Sequence, residues 1–196
     1  MISRQASAVL DRLETRDTHE RETSAPRSTR LRQVTPDVGR FLYNLIVASR
    51  ARSIIEIGTS GGYSSIWIAS AARTAGGSVV SLEIDPVKVA LARESIRDAG
   101  LEDAVTVVAG DAFEYLGRRS EPADFVFLDA EKEDYLAFLP LIVPLLAPGG
   151  VLIADNLVSH EADLREFRKA AFSDSRLHAV VVPIGRGELF AVRLGQ

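Results

Sequence analysis

The 196-residue chain contains no cysteine, which excludes a disulfide framework, a thiolate zinc site and a cysteine nucleophile, and suits a reducing compartment. No apolar run approaches the roughly 18 residues a membrane span needs, and the amino terminus lacks a hydrophobic signal core. The chain therefore reads as soluble and cytoplasmic, with no membrane partner. Positive charge is not in excess: 23 Lys and Arg against 27 Asp and Glu leave a formal −4. Broad nucleic-acid binding needs a net basic face to displace counterions, so the balance argues against it. Internal repeats and low-complexity tracts are also missing, and Trp67, the only tryptophan, reads as core.

Hydrophobic residues make up 46% of the chain, enough for the core of one full-sized domain. From Ser53 onward, strand and helix patterns alternate. Strands are expected at 53–57, 78–83, 105–109, 124–129 and 150–155, and helices at 62–74, 86–99, 112–117, 134–146 and 160–173. Such alternation implies right-handed crossovers and a doubly wound, mostly parallel α/β sheet with helices on both faces. Pro86 is a first-turn proline, Gly100 a left-handed helix end, and Pro148-Gly149-Gly150 a turn. Ala179 to Ile184 and Leu189 to Leu194 flank Gly185-Arg186-Gly187 as an antiparallel hairpin, which brings the sheet to seven strands with an antiparallel edge.

Residues 1–35 stand apart from 36–196. A short amphipathic piece around Val9, Leu10 and Leu13 leads into a polar, charge-mixed run from Thr15 to Arg32, read as a loosely held helix and arm. Thr35-Pro36-Asp37 then starts a helix, with Thr35 as its cap, and Phe41, Leu42, Leu45 and Ile46 give it an apolar face.

The strand Ser53-Ile54-Ile55-Glu56-Ile57 breaks into Gly58-Thr59-Ser60-Gly61-Gly62 and opens a helix at Tyr63-Ser64. A turn of this kind lets a ligand approach the backbone at the carboxyl end of a parallel strand. A nucleotide-type site also needs a carboxylate about 20 residues on, after the second strand, to accept ribose hydroxyls. Glu83 stands 22 residues past Gly61. A dinucleotide turn would carry a glycine where Ser60 stands, so the phosphate cradle of a nicotinamide enzyme is lacking and that reading is the weakest. Two more strands end in acids, at Asp129 and at Asp155-Asn156. Their three oxygen donors suit magnesium, calcium or manganese.

The pattern from Glu56 through Gly62 resembles the E-x-G-x-x-x-G motif of class I S-adenosylmethionine (SAM) methyltransferases. With Leu82-Glu83-Ile84-Asp85, Gly110-Asp111-Ala112, Asp129-Ala130-Glu131-Lys132, Tyr135 and Asp155-Asn156, it resembles the cation-dependent O-methyltransferases of the catechol and caffeoyl-CoA type over roughly Val34 to Arg193. The resemblance implies a Rossmann-like SAM domain over 36–196, with 1–35 as a lid and dimer contact of a homodimer. It implies that Asp129, Asp155 and Asn156 bind the cation. Val34, Glu56, Gly58, Thr59, Ser64, Glu83, Asp111, Ala112 and Asp129 would border the cofactor, Val34 as a lid and Asp111 near the adenine amine.

Methyl transfer to oxygen needs an ionising hydroxyl near the methyl carbon, and a free phenol holds its proton to about pH 10. A cation touching that oxygen favours ionisation, and Lys132, three residues past Asp129, is placed to take the proton. Taken alone, Lys132 reads as a surface lysine of the run Glu131-Lys132-Glu133-Asp134, and Asp155-Asn156 as a helix cap; their coincidence with Asp129 favours a site. The segment after Asn156 is shorter than in most family members, with no tryptophan. The expected activity is transfer from SAM to a hydroxylated, catechol-like small molecule. Alternatives are hydroxylated uridine in tRNA and a module that binds SAM without transfer. Arg27, Arg30 and Arg32 could meet a phosphate-bearing acceptor, though a solvated arm is the simpler reading.

Overall fold

The computed structural model describes residues 2–24, 26 and 30–195. Its centre is a seven-stranded sheet ordered β3-β2-β1-β4-β5-β7-β6. The strands are β1 (Ser53–Ile57), β2 (Ser78–Glu83), β3 (Val105–Ala109), β4 (Ala123–Leu128), β5 (Leu146–Ala154), β6 (Leu177–Val182) and β7 (Glu188–Arg193). The first five run parallel; β7 inserts between β5 and β6 and is antiparallel to both. The helices are α1 (Arg4–Glu22), α2 (Pro36–Ser49), α3 (Tyr63–Ala75), α4 (Pro86–Asp98), α5 (Ala112–Arg118), α6 (Tyr135–Leu145) and α7 (Arg165–Ser173).

Because side chains alternate along a strand, each buried strand feeds two cores. Ile54, Phe125, Phe127 and Ile153 point to the face covered by α1 to α4. Ile55, Ile57, Val126, Leu128 and Leu152 point to the opposite face, under α5 to α7. The strand ends therefore stand between two packed layers, and their terminal residues are held on a rigid frame. Thr35 caps α2 through its side chain, with Pro36 in the first turn, and Gly100 ends the α4 segment at φ 66°.

Four features differ from the sequence reading. The amino-terminal helix runs 19 residues, far beyond the Val9–Leu13 patch, and is not loosely held: Ala6, Val9, Leu10 and Leu13 are buried in the α1–α4 core. Residues 157–164 form successive turns, so α7 starts at Arg165 and not at 160. The Pro148-Gly149-Gly150 turn lies inside β5 as an irregularity: Leu146 already pairs with Ala123, and regular register resumes at Val151. Trp67 is only partly buried, and its indole fills the space where a side chain on Gly39 would sit.

If α1 is part of the core, truncating Leu10 must leave a cavity. Leu10→Ala is expected to cost about 2–4 kcal/mol, read as a lower urea midpoint at unchanged slope; a loss near zero would return α1 to the status of a loose arm.

Candidate active site

The glycine turn after β1 is shaped by contact. Gly58 takes φ 100°, and a Cβ there would lie 2.1 Å from the backbone oxygen of Asp129. Only glycine lets the β1 turn and the β4 exit meet this closely. Gly62, at φ 88°, precedes α3, and its backbone amide returns to Thr59 O at 3.0 Å.

Glu56 lies under the turn, fully buried, and accepts from Ser65 Oγ and from Ser81 Oγ at 2.5 Å. Burial pushes its carboxyl up to about 7 against the opposing effect of these hydroxyls and Ser64. Its Oε1 has no partner among the described residues. A buried orphan acceptor below the turn fits a ligand bearing an ammonium group.

Glu83 ends β2 with both oxygens oriented by backbone: Oε2 accepts from Ser60 N at 2.8 Å and Oε1 from Asp85 N at 3.0 Å. Each oxygen keeps a lone pair for a ligand hydroxyl. Asp111 caps α5 by accepting from Phe113 N at 2.7 Å, and Phe113 stacks on Phe138 at 4.0 Å between centroids. Both rings line the cavity, an aromatic floor that two phenylalanines 25 positions apart did not announce.

That cavity measures about 750 Å³, within the usual range for small-molecule sites. Val34, Gly58, Thr59, Ser64, Glu83, Asp111, Ala112, Asp129, Lys132 and Asn156 line it, whereas Glu56 and Asp155 stand behind the wall. Residues 30–34 cross it as a strap. Leu31 N donates to Glu20 Oε2 at 2.9 Å, Ser60 Oγ donates to Leu31 O at 2.5 Å, and Arg32 pairs with Glu131. Arg30 also lines the cavity, and Arg27 lies outside the described residues.

At the exits of β4 and β5, acids crowd together. Lys132 is 10% exposed and donates from Nζ to Asp129 Oδ1 at 2.9 Å, Ala130 O at 3.0 Å and Tyr135 Oη at 2.8 Å. Burial, followed by the Asp129 and Asp155 charges, raises the Tyr135 hydroxyl well above its ordinary value, so it stays neutral. Asp155 Oδ1 accepts from Asn156 N at 2.6 Å, and Asn156 takes φ 76°. The Asn156 amide nitrogen donates to Ser159 Oγ at 3.3 Å, which leaves its oxygen available as a ligand.

The sequence reading missed Glu188. At the start of β7 this residue is fully buried, and neither oxygen has a hydrogen-bond partner among the described residues. It neighbours Asp155 at longer range. Burial first, then the Asp155 charge, raises its carboxyl so that it holds its proton; burial and then the Asp129 charge raise Asp155 too. A glutamate just past Gly185-Arg186-Gly187 reads as the solvated start of a strand. Only its place between two apolar strands could have signalled burial.

Asp129, Asp155 and Glu188 thus answer to one nearby lysine. The donor set of two carboxylates, Asp129 and Asp155, and the Asn156 amide oxygen suits a hard divalent ion. Among the described residues, no three His, Cys, Asp or Glu side chains gather to hold a metal by themselves.

Comparison with known proteins follows this geometry. Residues 3–194 match the family model described as O-methyltransferase. A catechol O-methyltransferase of Mycobacterium tuberculosis is 40% identical over 126 residues, 64% of this chain and 57% of that protein; one from Niastella koreensis is 36% identical and matched over 58% of its length. The chain thus matches less than three fifths of each. An O-methyltransferase of Bacillus cereus, solved with SAH, superposes with a TM-score of 0.80 at 31% identity, covering 95% of this chain and 90% of that one. TomG of Streptomyces achromogenes, solved with SAM and described as involved in tomaymycin synthesis, gives 0.79 at 29% identity, covering 93% and 89%. None of the described helices is long and apolar enough to cross a membrane. By the family match across almost its whole length, this chain belongs to the SAM-dependent O-methyltransferases.

Proposed function

We propose that this protein moves the methyl group of SAM to a hydroxyl of a small catechol-like or hydroxylated aromatic acceptor, assisted by a divalent cation, with magnesium favoured over calcium or manganese. The observation that supports it most is that one cavity joins the glycine turn and Glu83 to Asp129, Lys132 and Asn156. When bound, SAM supplies an electrophilic methyl and the cation supplies positive charge that favours ionisation of a neighbouring phenol.

The chain's own groups divide the remaining work. Glu83 takes the ribose hydroxyls, Glu56 draws the ammonium end toward the turn, and Asp111 and Ala112 border the base above Phe113. Gly58, Thr59, Ser64 and Val34 close on the ligand and exclude water. Asp129, Asp155 and Asn156 hold the cation. Lys132, in its neutral amine form, would accept the acceptor's proton at Nζ and so become the ammonium that pairs with the Asp129 carboxylate. The homodimer and the cytoplasmic setting belong to the same reading, as does residue 1–35 acting as the lid segment on the 36–196 domain.

Turnover of SAM with catechol is expected to fall about a hundredfold in EDTA and to return with added magnesium; activity indifferent to chelator would remove the cation from the reaction. Lys132→Met should lower kcat by about 10²–10³ while leaving SAH affinity, measured by calorimetry, close to that of the parent; parental kcat would assign the proton to another acceptor.

The acid cluster predicts a sign for stability. In the cation-free protein Glu188 keeps a proton that the unfolded chain releases above its ordinary value of 4.5. Folding stability from this residue is therefore full below that pH and declines as pH rises toward the elevated folded value. Thermal melts of cation-free protein from about pH 5 to about pH 9 should fall less steeply for Glu188→Gln than for the parent. Parallel curves would mean that Glu188 is ionised in the fold.

A further inference from the structure

Arg186 lies at the tip of the β6–β7 hairpin, between Gly185 and Gly187, and faces the same cavity as Asn156 and His160. Its position is fixed by backbone. Leu157 N donates to Gly187 O at 2.8 Å, and the amides of Val158 and Ser159 both donate to Arg186 O at 3.0 Å. Gly187, at φ 90°, packs so tightly that a Cβ would meet Val158 at 2.3 Å. The hairpin tip and the short segment leaving Asn156 therefore form one unit, and Arg186 is carried directly beside a proposed cation ligand.

Three other cationic side chains around the cavity are paired. Arg21 pairs with Asp17, Arg32 with Glu131 and Lys132 with Asp129. The Arg186 guanidinium makes no hydrogen bond, ion pair or ring contact among the described residues, although the residue is only partly exposed. A guanidinium has five donors in a planar fork and matches a carboxylate bidentately.

We infer that Arg186 selects an acceptor bearing a carboxylate on the same ring as its hydroxyls, a dihydroxybenzoate-type acid in preference to a neutral catechol. The inference rests on the O-methyl transfer reading for the location of the acceptor. The hydroxyls face Asp129, Asn156 and Lys132, and the carboxylate turns outward to Arg186. The short loop after Asn156 supplies no aromatic wall of its own, since its exposed apolar residue is Val158. Charge pairing at the rim takes the place of ring packing in holding the acceptor.

The test compares 3,4-dihydroxybenzoate with its methyl ester, which is nearly the same size but neutral. The ester's ring is the more electron-poor and its hydroxyl ionises more readily, so intrinsic reactivity does not favour the acid. With SAH and magnesium present, calorimetry on the parent protein should show the acid bound about tenfold more tightly than the ester, and R186Q should abolish that ratio, with R186K intermediate. In turnover the change should appear in KM for the acid, with kcat little altered. Unaltered circular dichroism and SAH affinity of R186Q would show that it folds. A parent preference for the ester, or an acid-to-ester ratio that survives R186Q, overturns the assignment. Selective binding of the acid without methyl transfer would uphold the anion site and refute the transferase reading instead.

Discussion

The close approach of Gly58 to the Asp129 backbone is the contact on which the site depends. The turn after β1 and the exit of β4 belong to neighbouring parallel strands, and a single added carbon at Gly58 would drive them apart. Asp129 N donates to Ile57 O at 2.9 Å and Gly58 N to Leu82 O at 3.0 Å, so sheet pairing continues up to the point where the chains diverge. Separation of these loops would part the cofactor turn from the acid cluster. The relation between the glycine turn and the acid cluster is thus set by backbone, whose position is defined more sharply than that of any loop side chain.

Electrostatics then explains why the cluster is tolerable. Burying carboxyls without counter-charge is costly, and this site distributes the cost in three ways. Glu188 stays neutral, Asp155 accepts from the amide of Asn156, and Asp129 pairs with Lys132. Tyr135 supports the arrangement from below: its hydroxyl donates to Leu128 O at 3.1 Å and accepts from Lys132. The same lysine that neutralises Asp129 also ties it to Tyr135 and to the Ala130 carbonyl. The charge of Lys132 and that of the cluster are therefore linked through Asp129.

Much of this was legible in the residues because punctuation and pattern agreed. The strands at 53–57, 78–83 and 105–109 match to the residue, each an apolar run bounded by glycine, proline or acid. The start of α7 was misread because Ser159, His160 and Glu161 resemble a helix entry, whereas the Asp155-Asn156 corner and the hairpin clamp consume those amides in turns. Glu188 was invisible for a deeper reason. Its burial depends on β7 also pairing with β5, more than thirty residues away in sequence, which the local β6–β7 hairpin pattern does not encode. The aromatic floor of Phe113 and Phe138 is non-local in the same way.

The amino-terminal helix joins these themes. From residue 14 to residue 22 its sequence is almost wholly polar, so periodicity gives no warning that its last turn is structural. Yet Glu20 is nearly buried and divides its carboxylate between Arg16 Nε, at 2.8 Å, and the amide of Leu31. A surface-looking i,i+4 ion pair thereby becomes the anchor of the strap over the cofactor cavity. Arg32 holds a left-handed φ of 50°, a strained conformation for a side chain of its size, which persists because Leu31 is tied on one side and Glu131 is paired on the other. Each tie is worth only about 0.5–1.5 kcal/mol, less than the apolar burial that fixes α1. The helix is therefore the base of the strap, and the buried side chains of Leu31 and Val34 join the strap to the same apolar core that holds Ala6, Val9, Leu10 and Leu13.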